Sequence, residues 1–397
     1  MIEETVIDCH LVKIAKKCEA YVNSGKKIGL YNGLGGVALF LFYYSKYTGD
    51  EHFGNVANKA LGRITQELSA SKNNFSYCSG IAGFGWLISH LQKANFLKED
   101  FNELLNQLDP YLIKALDKFL EMGHYDFLNG YLGVYYYFLE NDFEYDERSK
   151  NLKSVIVEKV INKLYDTAII DGKKISWKSY TNRNSSIMGV NLGLAHGLPS
   201  IIMLLLKTYA SKKDHKVRSL IVGAIEYLKA VQSSYDNDAL YSSFIYDGEY
   251  INESSGSRLA WCYGDLGVGL SFNKVGMELK IDDITNRSLM IFEMTISRKA
   301  TELNGVYDAS FCHGSSGLTF IYNKIYEKTN LPDYKLSCQY WLNQTLDIIN
   351  KSDYKAWFHS TGYRLEHGIL EGVSGIGLSL LSIVDRNSRG WEEAFLI

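Results

Sequence analysis

The side chains best suited to metal chemistry lie in two short segments, each with a cysteine shortly before a glycine. WCYG contains Cys262 and Tyr263, and FCHG contains Cys312 and His313. Two cysteine thiolates and an imidazole form a ligand set suited to Zn²⁺, with a fourth position open. The alternative is that both cysteines are ordinary buried thiols, because free cysteine packs as a small apolar residue.

A second group of side chains could move protons or orient charge. His196 lies in LAHG, where it could act as a general acid or base or simply bond to backbone groups. Asp126 and Arg258 could form a pair of opposite charges that orients other groups or stabilises developing negative charge, or both could be surface charges. Tyr263 could donate a hydrogen bond or pack. Four further polar residues receive no role, because charged loop residues are usually solvated: Asp308, His359, His367 and Glu371.

A repeated motif determines where these residues lie. In seven segments a glycine precedes an apolar run of helical length, and in six of them a second glycine follows three residues later. The fourth segment has Ser200 at that second position. The first glycines are spaced 47 to 67 residues apart: Gly33, Gly80, Gly130, Gly197, Gly264, Gly314 and Gly372. The stretches between motifs are amphipathic and charged, so each repeat accommodates two helices and two connections.

The repeat predicts an all-α fold in the form of an α/α toroid (barrel). Seven helical hairpins, about fourteen helices, would close residues 1–397 into a single domain, with buried inner helices and amphipathic outer ones. If each inner helix begins at its glycine, the seven N-termini lie at one end of the ring. Helix N-termini favour anions, so that end is the expected site.

The register of the motifs predicts a convergence of ligands. Cys262 and Cys312 hold the same position in consecutive repeats, and His313 follows Cys312 directly. Since neighbouring repeats touch in a ring, we expect both sulfurs and the imidazole to meet at its mouth. Cys78 holds the same position three repeats away from Cys262 and is interpreted as structural.

Two insertions are expected beside the fourth motif, where the intervals are longest. The sequence around residues 166–190 and 236–258 is extended rather than helical in character, and the second stretch contains an Asp-Gly turn signal. Both insertions are predicted to contain short strands.

Composition excludes several classes of protein. The chain has 397 residues, a net charge of −3 and a pI of about 6.3, which do not suggest a nucleic-acid partner. Six cysteines are too sparse for a disulfide framework and indicate a reducing cytosol. The N-terminus lacks the apolar core of a signal peptide, and no apolar stretch is long enough to span a bilayer.

With these motifs in place, the chain resembles the lanthionine synthetase C-like family (LanC cyclases). The likeness rests on WCYG followed by CHG, an upstream AHG and the repeated glycine motif, and it spans essentially the whole chain. The length is similar to that of the separate cyclase of class I lanthipeptide systems, without the dehydratase region of bifunctional synthetases. One difference follows CYG, where relatives often have a residue and then proline but this chain has Asp265 and Leu266.

The resemblance implies a zinc-dependent lanthipeptide (lantibiotic) cyclase. Such an enzyme adds peptide cysteine thiolates to dehydroalanine or dehydrobutyrine, forming the thioether rings of lanthionine or methyllanthionine. The family's ligands for one Zn²⁺ per chain match Cys262, Cys312 and His313. The other active-site positions of the family match His196, Asp126, Arg258 and Tyr263.

The resemblance also implies partners and a location. The substrate would be a dehydrated precursor peptide with its leader, and a dehydratase and an exporter would join the cyclase in a membrane-associated complex. The protein would then be cytoplasmic, with peripheral association at the inner face of the membrane through that complex. In the family the inserted region forms a small SH2-like subdomain, which the two insertions would supply here.

Alternative functions remain open from the sequence. One is a non-cyclising LanC-like protein that binds zinc and thiols. Another is a different zinc–thiol toroid enzyme, such as a protein prenyltransferase-like protein, which would need a basic diphosphate pocket that is not apparent in the sequence. A toroidal glycosidase would use two carboxylates, such as Asp126 and Glu371, and would leave the Cys-Cys-His set without a role.

Overall fold

The structure is a computed structural model that describes residues 3–70, 74–141, 147–180, 187–234, 239–246 and 257–397. Helices dominate these ranges. No helix in them is both long and apolar enough to cross a membrane.

Seven helices begin directly after the seven motif glycines, and in each of them that glycine is the N-cap residue. The predicted starts of the inner helices are therefore confirmed. These helices are α2 (Leu34–Thr48), α4 (Ile81–Lys93), α6 (Tyr131–Glu140), α8 (Leu198–Lys212), α10 (Asp265–Leu279), α13 (Ser315–Thr329) and α15 (Val373–Val384). The first eight residues of each of these helices are all buried, and in α2 every residue from Leu34 to Tyr44 is buried.

An outer helix precedes each inner one. These helices are α1 (Glu4–Ser24), α3 (Glu51–Ala70), α5 (Asn102–Glu121), α7 (Glu147–Asp166), α9 (His215–Ala230), α11 (Asp282–Thr295) and α14 (Pro332–Lys351). In α9 the buried residues recur every three or four positions, as expected for a helix with one apolar face. Besides these seven pairs, the described ranges contain a one-turn helix, α12 (Thr301–Asn304), and a C-terminal 3₁₀ helix over Trp391–Phe395.

The chain forms two compact units. The first comprises residues 1–112 and 306–395, and the second comprises residues 113–305 and 396–397. Within the first unit the inner helices pack in the order α13, α15, α2, α4, and within the second they pack in the order α6, α8, α10. That all residues form a single domain stays a prediction.

Short antiparallel strands occupy the insertions. The hairpin β1 (Ile169–Asp171) and β2 (Lys174–Ser176) is followed by a sheet of order β3–β4–β5, made of Ser179–Tyr180, Met188–Asn191 and Phe244–Tyr246. Strands were expected here, although residues 181–186, 235–238 and 247–256 lie outside the described part. The SH2-like character of this region stays a prediction.

A further hairpin, β6 (Trp357–His359) and β7 (Gly362–Arg364), was not predicted from the sequence. Gly362, the first residue of β7 directly after the turn, has a φ of +110°, which favours glycine. The hairpin lies between α14 and α15 in the chain. Its Phe358 contacts Asp308 in the loop before α13.

Candidate functional site

The motif loops close in a common way. In five of them, the N–H of the first helical residue donates to the carbonyl of the residue six positions before the glycine, at 2.9–3.0 Å: Leu34 to Lys27, Ile81 to Asn74, Tyr131 to His124, Ser315 to Asp308 and Val373 to Glu366. Each loop therefore presents its two residues before the glycine at a fixed point. In the sixth loop a Cβ at Gly314 would collide with the carboxylate of Asp308 and the N–H of Ser310, so only glycine fits.

Backbone hydrogen bonds connect neighbouring motifs at the position two residues before the glycine. In the first unit they run from Cys312 N to Leu370 O, from Leu370 N to Tyr31 O and from Tyr31 N to Cys78 O, at 2.9–3.0 Å. In the second unit Ala195 N donates to Cys262 O at 3.3 Å. Equivalent residues of successive motifs are therefore joined through their backbones, which gives the register seen in the sequence a physical basis.

Cys262, Cys312 and His313 form a group of metal-ligand type. Their ligand atoms all lie within 4.8 Å of one another, as the register predicts. Both cysteines are buried, with 6% and 7% of their surface exposed, while His313 is half-buried. Two sulfurs and one imidazole nitrogen match the donors that zinc prefers, so these residues fit the implied ion.

Asp308 lies beside the histidine of this group, although the sequence assigned it no role. Its Oδ2 is 3.4 Å from Nε2 of His313, and only 2% of its side chain is exposed. Burial alone would raise the pKa of Asp308, but His313 and donors from Phe358 and Ser310 hold it below its ordinary value. The one sequence feature that could have indicated Asp308 is its position six residues before the motif glycine Gly314.

His196 and Asp126, two of the candidate catalytic residues, form a short polar contact. Nδ1 of His196 lies 2.6 Å from Oδ2 of Asp126, and Asn129 N donates to the other carboxylate oxygen at 2.8 Å. Burial alone would lower the pKa of His196, but Asp126 raises it above its ordinary value. Burial alone would raise the pKa of Asp126, but the interaction with His196 lowers it. A contact between these two residues was not predicted from the sequence.

Tyr263 lies beside the pair of His196 and Asp126, whereas the side chain of Arg258 is exposed at the surface. The hydroxyl of Tyr263 accepts a hydrogen bond from Nδ2 of Asn191 at 3.2 Å, and its ring centre is 6.0 Å from that of His196. Arg258 is exposed, and within the described ranges its guanidinium makes no ion pair. Asp126 therefore pairs with His196 rather than with Arg258.

A buried ion pair anchors the loop that contains Cys262. Asp265, the first residue of α10, accepts from Nη1 of Arg298 at 2.9 Å and from the backbone N–H of Tyr241 at 2.9 Å. Arg298 also donates to the carbonyl of Ser257 at 2.5 Å. The ion pair therefore connects the start of α10 to the segment before Cys262.

Replacing Asp265 with Ala is expected to destabilise the protein by about 3–5 kcal/mol, because it leaves the charge of Arg298 buried and unpaired. Only 3% of the Arg298 side chain and 1% of the Asp265 side chain are exposed. Denaturant unfolding would measure the change. The control is Asp117→Ala, which removes a half-exposed pair with Lys159 and should cost about 0–1 kcal/mol. Equal losses from the two variants would contradict the anchoring role.

The chain is similar to a described family and to two known proteins over almost its whole length. The family description "Lanthionine synthetase C-like protein" matches residues 25–396. "Nisin biosynthesis protein NisC" of Lactococcus lactis subsp. lactis is 24% identical over 389 residues, covering 94% of this chain and 89% of that protein. The solved structure of "Nisin cyclase" matches with a TM-score of 0.78 at 23% identity, covering 99% of this chain and 98% of that one.

The structural likeness confirms the predicted fold class, an all-α fold of the α/α-toroid type. At 23% identity, similarity to a solved structure supports the fold alone. The family description, in contrast, was matched on sequence and covers all seven glycine motifs. The chain belongs to the lanthionine synthetase C-like protein family.

Proposed function

We propose that the protein is a lanthionine synthetase, a cyclase that joins cysteine thiols of a dehydrated peptide to dehydroalanine or dehydrobutyrine. The observation that carries the proposal is the group of Cys262, Cys312 and His313 in a chain of this family. The names of the two relatives, a nisin biosynthesis protein and a nisin cyclase, agree with it.

One Zn²⁺ per chain is proposed to bind to these three residues. Two thiolates and a neutral imidazole balance the charge of the ion, and three protein ligands leave a position for a substrate thiol. When bound, the ion would lower the pKa of a peptide thiol, about 8.5 in free cysteine, and so supply a thiolate at neutral pH.

His196 is proposed to protonate the enolate that forms when the peptide sulfur adds to the alkene. When the peptide sulfur bonds to the β-carbon of the dehydro residue, the electron pair of the alkene moves to the α-carbon and its carbonyl. The α-carbon then needs a proton. Since Nδ1 of His196 is held by Asp126, Nε2 is the nitrogen that can donate it. The proton given up by the peptide thiol returns the imidazole to its charged form, so the protons balance.

The other polar residues support this step. Asp126 fixes the tautomer and orientation of His196 and favours its charged form. Tyr263, beside His196, supplies a polar contact to the peptide. Arg258, whose guanidinium is exposed four residues before Cys262, is proposed to stabilise the negative charge that develops on the carbonyl oxygen.

Replacing Asp126 with Asn is expected to shift the pH dependence of cyclisation. An acid must be protonated, so activity is lost as pH rises through the pKa of His196. Asp126 raises that pKa, whereas burial lowers it, so the variant should lose activity at lower pH. Rates between about pH 5 and 9 would show the shift, with a loss on the order of 10-fold at neutral pH. Asp117→Asn is the control, and an unmoved basic limb would contradict the assignment.

A thiol-counting experiment tests the activity itself. Cyclisation does not change the mass of the peptide, but it consumes one thiol. A peptide with one cysteine and one dehydroalanine is incubated with the zinc-loaded protein, alkylated at free thiols and weighed by mass spectrometry. Product that gains no alkyl group supports the cyclase. Full alkylation under zinc-loaded conditions supports the alternative, a LanC-like protein that binds zinc and thiols without cyclising.

The cellular setting follows from the chemistry of the substrate. Dehydro residues arise by loss of water from hydroxyl residues, so a dehydratase must act before this protein. We propose a cytoplasmic location and a peripheral complex with that dehydratase and an exporter at the inner face of the membrane, on the basis of the family resemblance.

A further inference from the structure

The position six residues before the motif glycine has the same local role in different repeats. At Asn74, Oδ1 accepts from the backbone N–H of Ser76 at 3.1 Å and from its hydroxyl at 2.9 Å. At Asp308, Oδ1 accepts from the N–H of Ser310 at 3.0 Å and from its hydroxyl at 2.7 Å. Asn191 likewise accepts from the N–H two residues later. In these three motifs one side-chain oxygen therefore closes the turn, and the oxygen comes from an amide in two of them and from a carboxylate in the third.

In two of these three motifs the second polar atom of the side chain faces the residue directly before the glycine, whereas Nδ2 of Asn191 donates to Tyr263. Nδ2 of Asn74 donates to the hydroxyl of Ser79 at 2.9 Å. In the sixth motif the equivalent atom is Oδ2 of Asp308, which lies 3.4 Å from Nε2 of His313. Since asparagine suffices to close the turn, the second acceptor oxygen of Asp308 has a separate purpose, and it faces the imidazole of His313 and the N–H of Phe358.

The carboxylate of Asp308 is held rigidly. Its Oδ2 also accepts from the backbone N–H of Phe358, in β6, at 3.0 Å. Its Oδ1 is packed so closely against Gly314 that a Cβ there would collide with it. The carboxylate therefore has a fixed position 3.4 Å from Nε2 of His313, whose side chain is 17% exposed. The separation is within reach of a hydrogen bond from Nε2–H.

We propose that Asp308 is a positioning residue that accepts a hydrogen bond from Nε2–H of His313 and thereby directs Nδ1 to the metal. The proposal rests on the proposed function in that it takes His313 as a zinc ligand. A carboxylate on the far nitrogen of a ligating histidine fixes its tautomer and raises its basicity.

The test is the zinc affinity of Asp308→Asn in the full-length protein, measured by competition with a chromophoric chelator. The expected result is a Kd about 10- to 100-fold higher than that of the unaltered protein. The melting temperature of the metal-free variant should fall, because the amide Nδ2 would face the N–H of Phe358 from which Oδ2 now accepts, although Oδ1 still closes the turn. A double-mutant cycle with His313 separates this loss from the effect on zinc. The matched control is Asn74→Asp, which makes the reverse change in the second motif and should leave the Kd unchanged.

A double-mutant cycle shows whether Asp308 acts through His313. In a His313→Ala background, Asp308→Asn should have no further effect on the Kd. An unchanged Kd for the single variant, or the same increase in both backgrounds, would overturn the proposal. If the unaltered protein bound no zinc, the metal assignment would be wrong as well, while the thiol-counting experiment tests cyclisation separately.

A measurement without substitutions at Asp308 gives an independent result. Nitrogen-15 NMR of histidine-labelled, zinc-loaded protein reports which ring nitrogen carries the proton. His313→Ala identifies the signals of His313. A proton on Nε2 with metal on Nδ1 is expected, and the reverse arrangement would overturn the proposal.

Discussion

Replacing Cys262 or Cys312 with Ala is expected to abolish both stoichiometric zinc binding and cyclisation. Each variant keeps one sulfur and the imidazole of His313, which is too few ligands to retain zinc against a chelator. If a four-ligand zinc site contributes about 10–16 kcal/mol, each ligand contributes on the order of 3 kcal/mol, or about 100-fold in affinity. Elemental analysis after dialysis against a chelator would measure the zinc content, and thiol counting the activity.

Cys78→Ala is the matched control for this experiment. Cys78 lies two residues before its motif glycine, as Cys262 and Cys312 do, but it is not a member of the metal-ligand group. Its replacement should leave one zinc per chain. Retention of zinc by either Cys262→Ala or Cys312→Ala would show that the ligand assignment is wrong.

Replacing His196 with Asn is expected to separate metal binding from catalysis. The zinc content should stay at one per chain, because His196 is not among the proposed ligands. Asparagine can still bond to Asp126 but cannot act as an acid, so cyclisation should slow by about 10²- to 10⁴-fold. Single-turnover rates with zinc-loaded protein would measure the loss of the proton-transfer step.

His52→Asn is a suitable control, because His52 also pairs with a carboxylate. Its Nε2 lies 2.8 Å from Glu19 at the surface, with 58% of the His52 side chain exposed. This variant should cyclise at the normal rate. If His196→Asn did so too, another residue would have to protonate the α-carbon.

The sequence by itself determined the repeat, the seven inner helix starts and the residue types of the candidate ligand set. These features depend on local interactions. A glycine before an apolar run is needed because the loop folds back on itself, and that steric demand recurs in every motif regardless of distant contacts. The common position of Cys262 and Cys312 could be seen for the same reason, since the register is counted from the glycine.

Only the tertiary structure decided which side chains act on one another. Asp126 and His196 are separated by 70 residues, and their 2.6 Å contact depends on how two repeats pack. Asp308 looked like a solvated loop carboxylate, yet it is buried against His313 and held by the hairpin β6–β7. Such pairings depend on the packing of distant segments, and residues that are far apart in the chain carry no local sign of their partners.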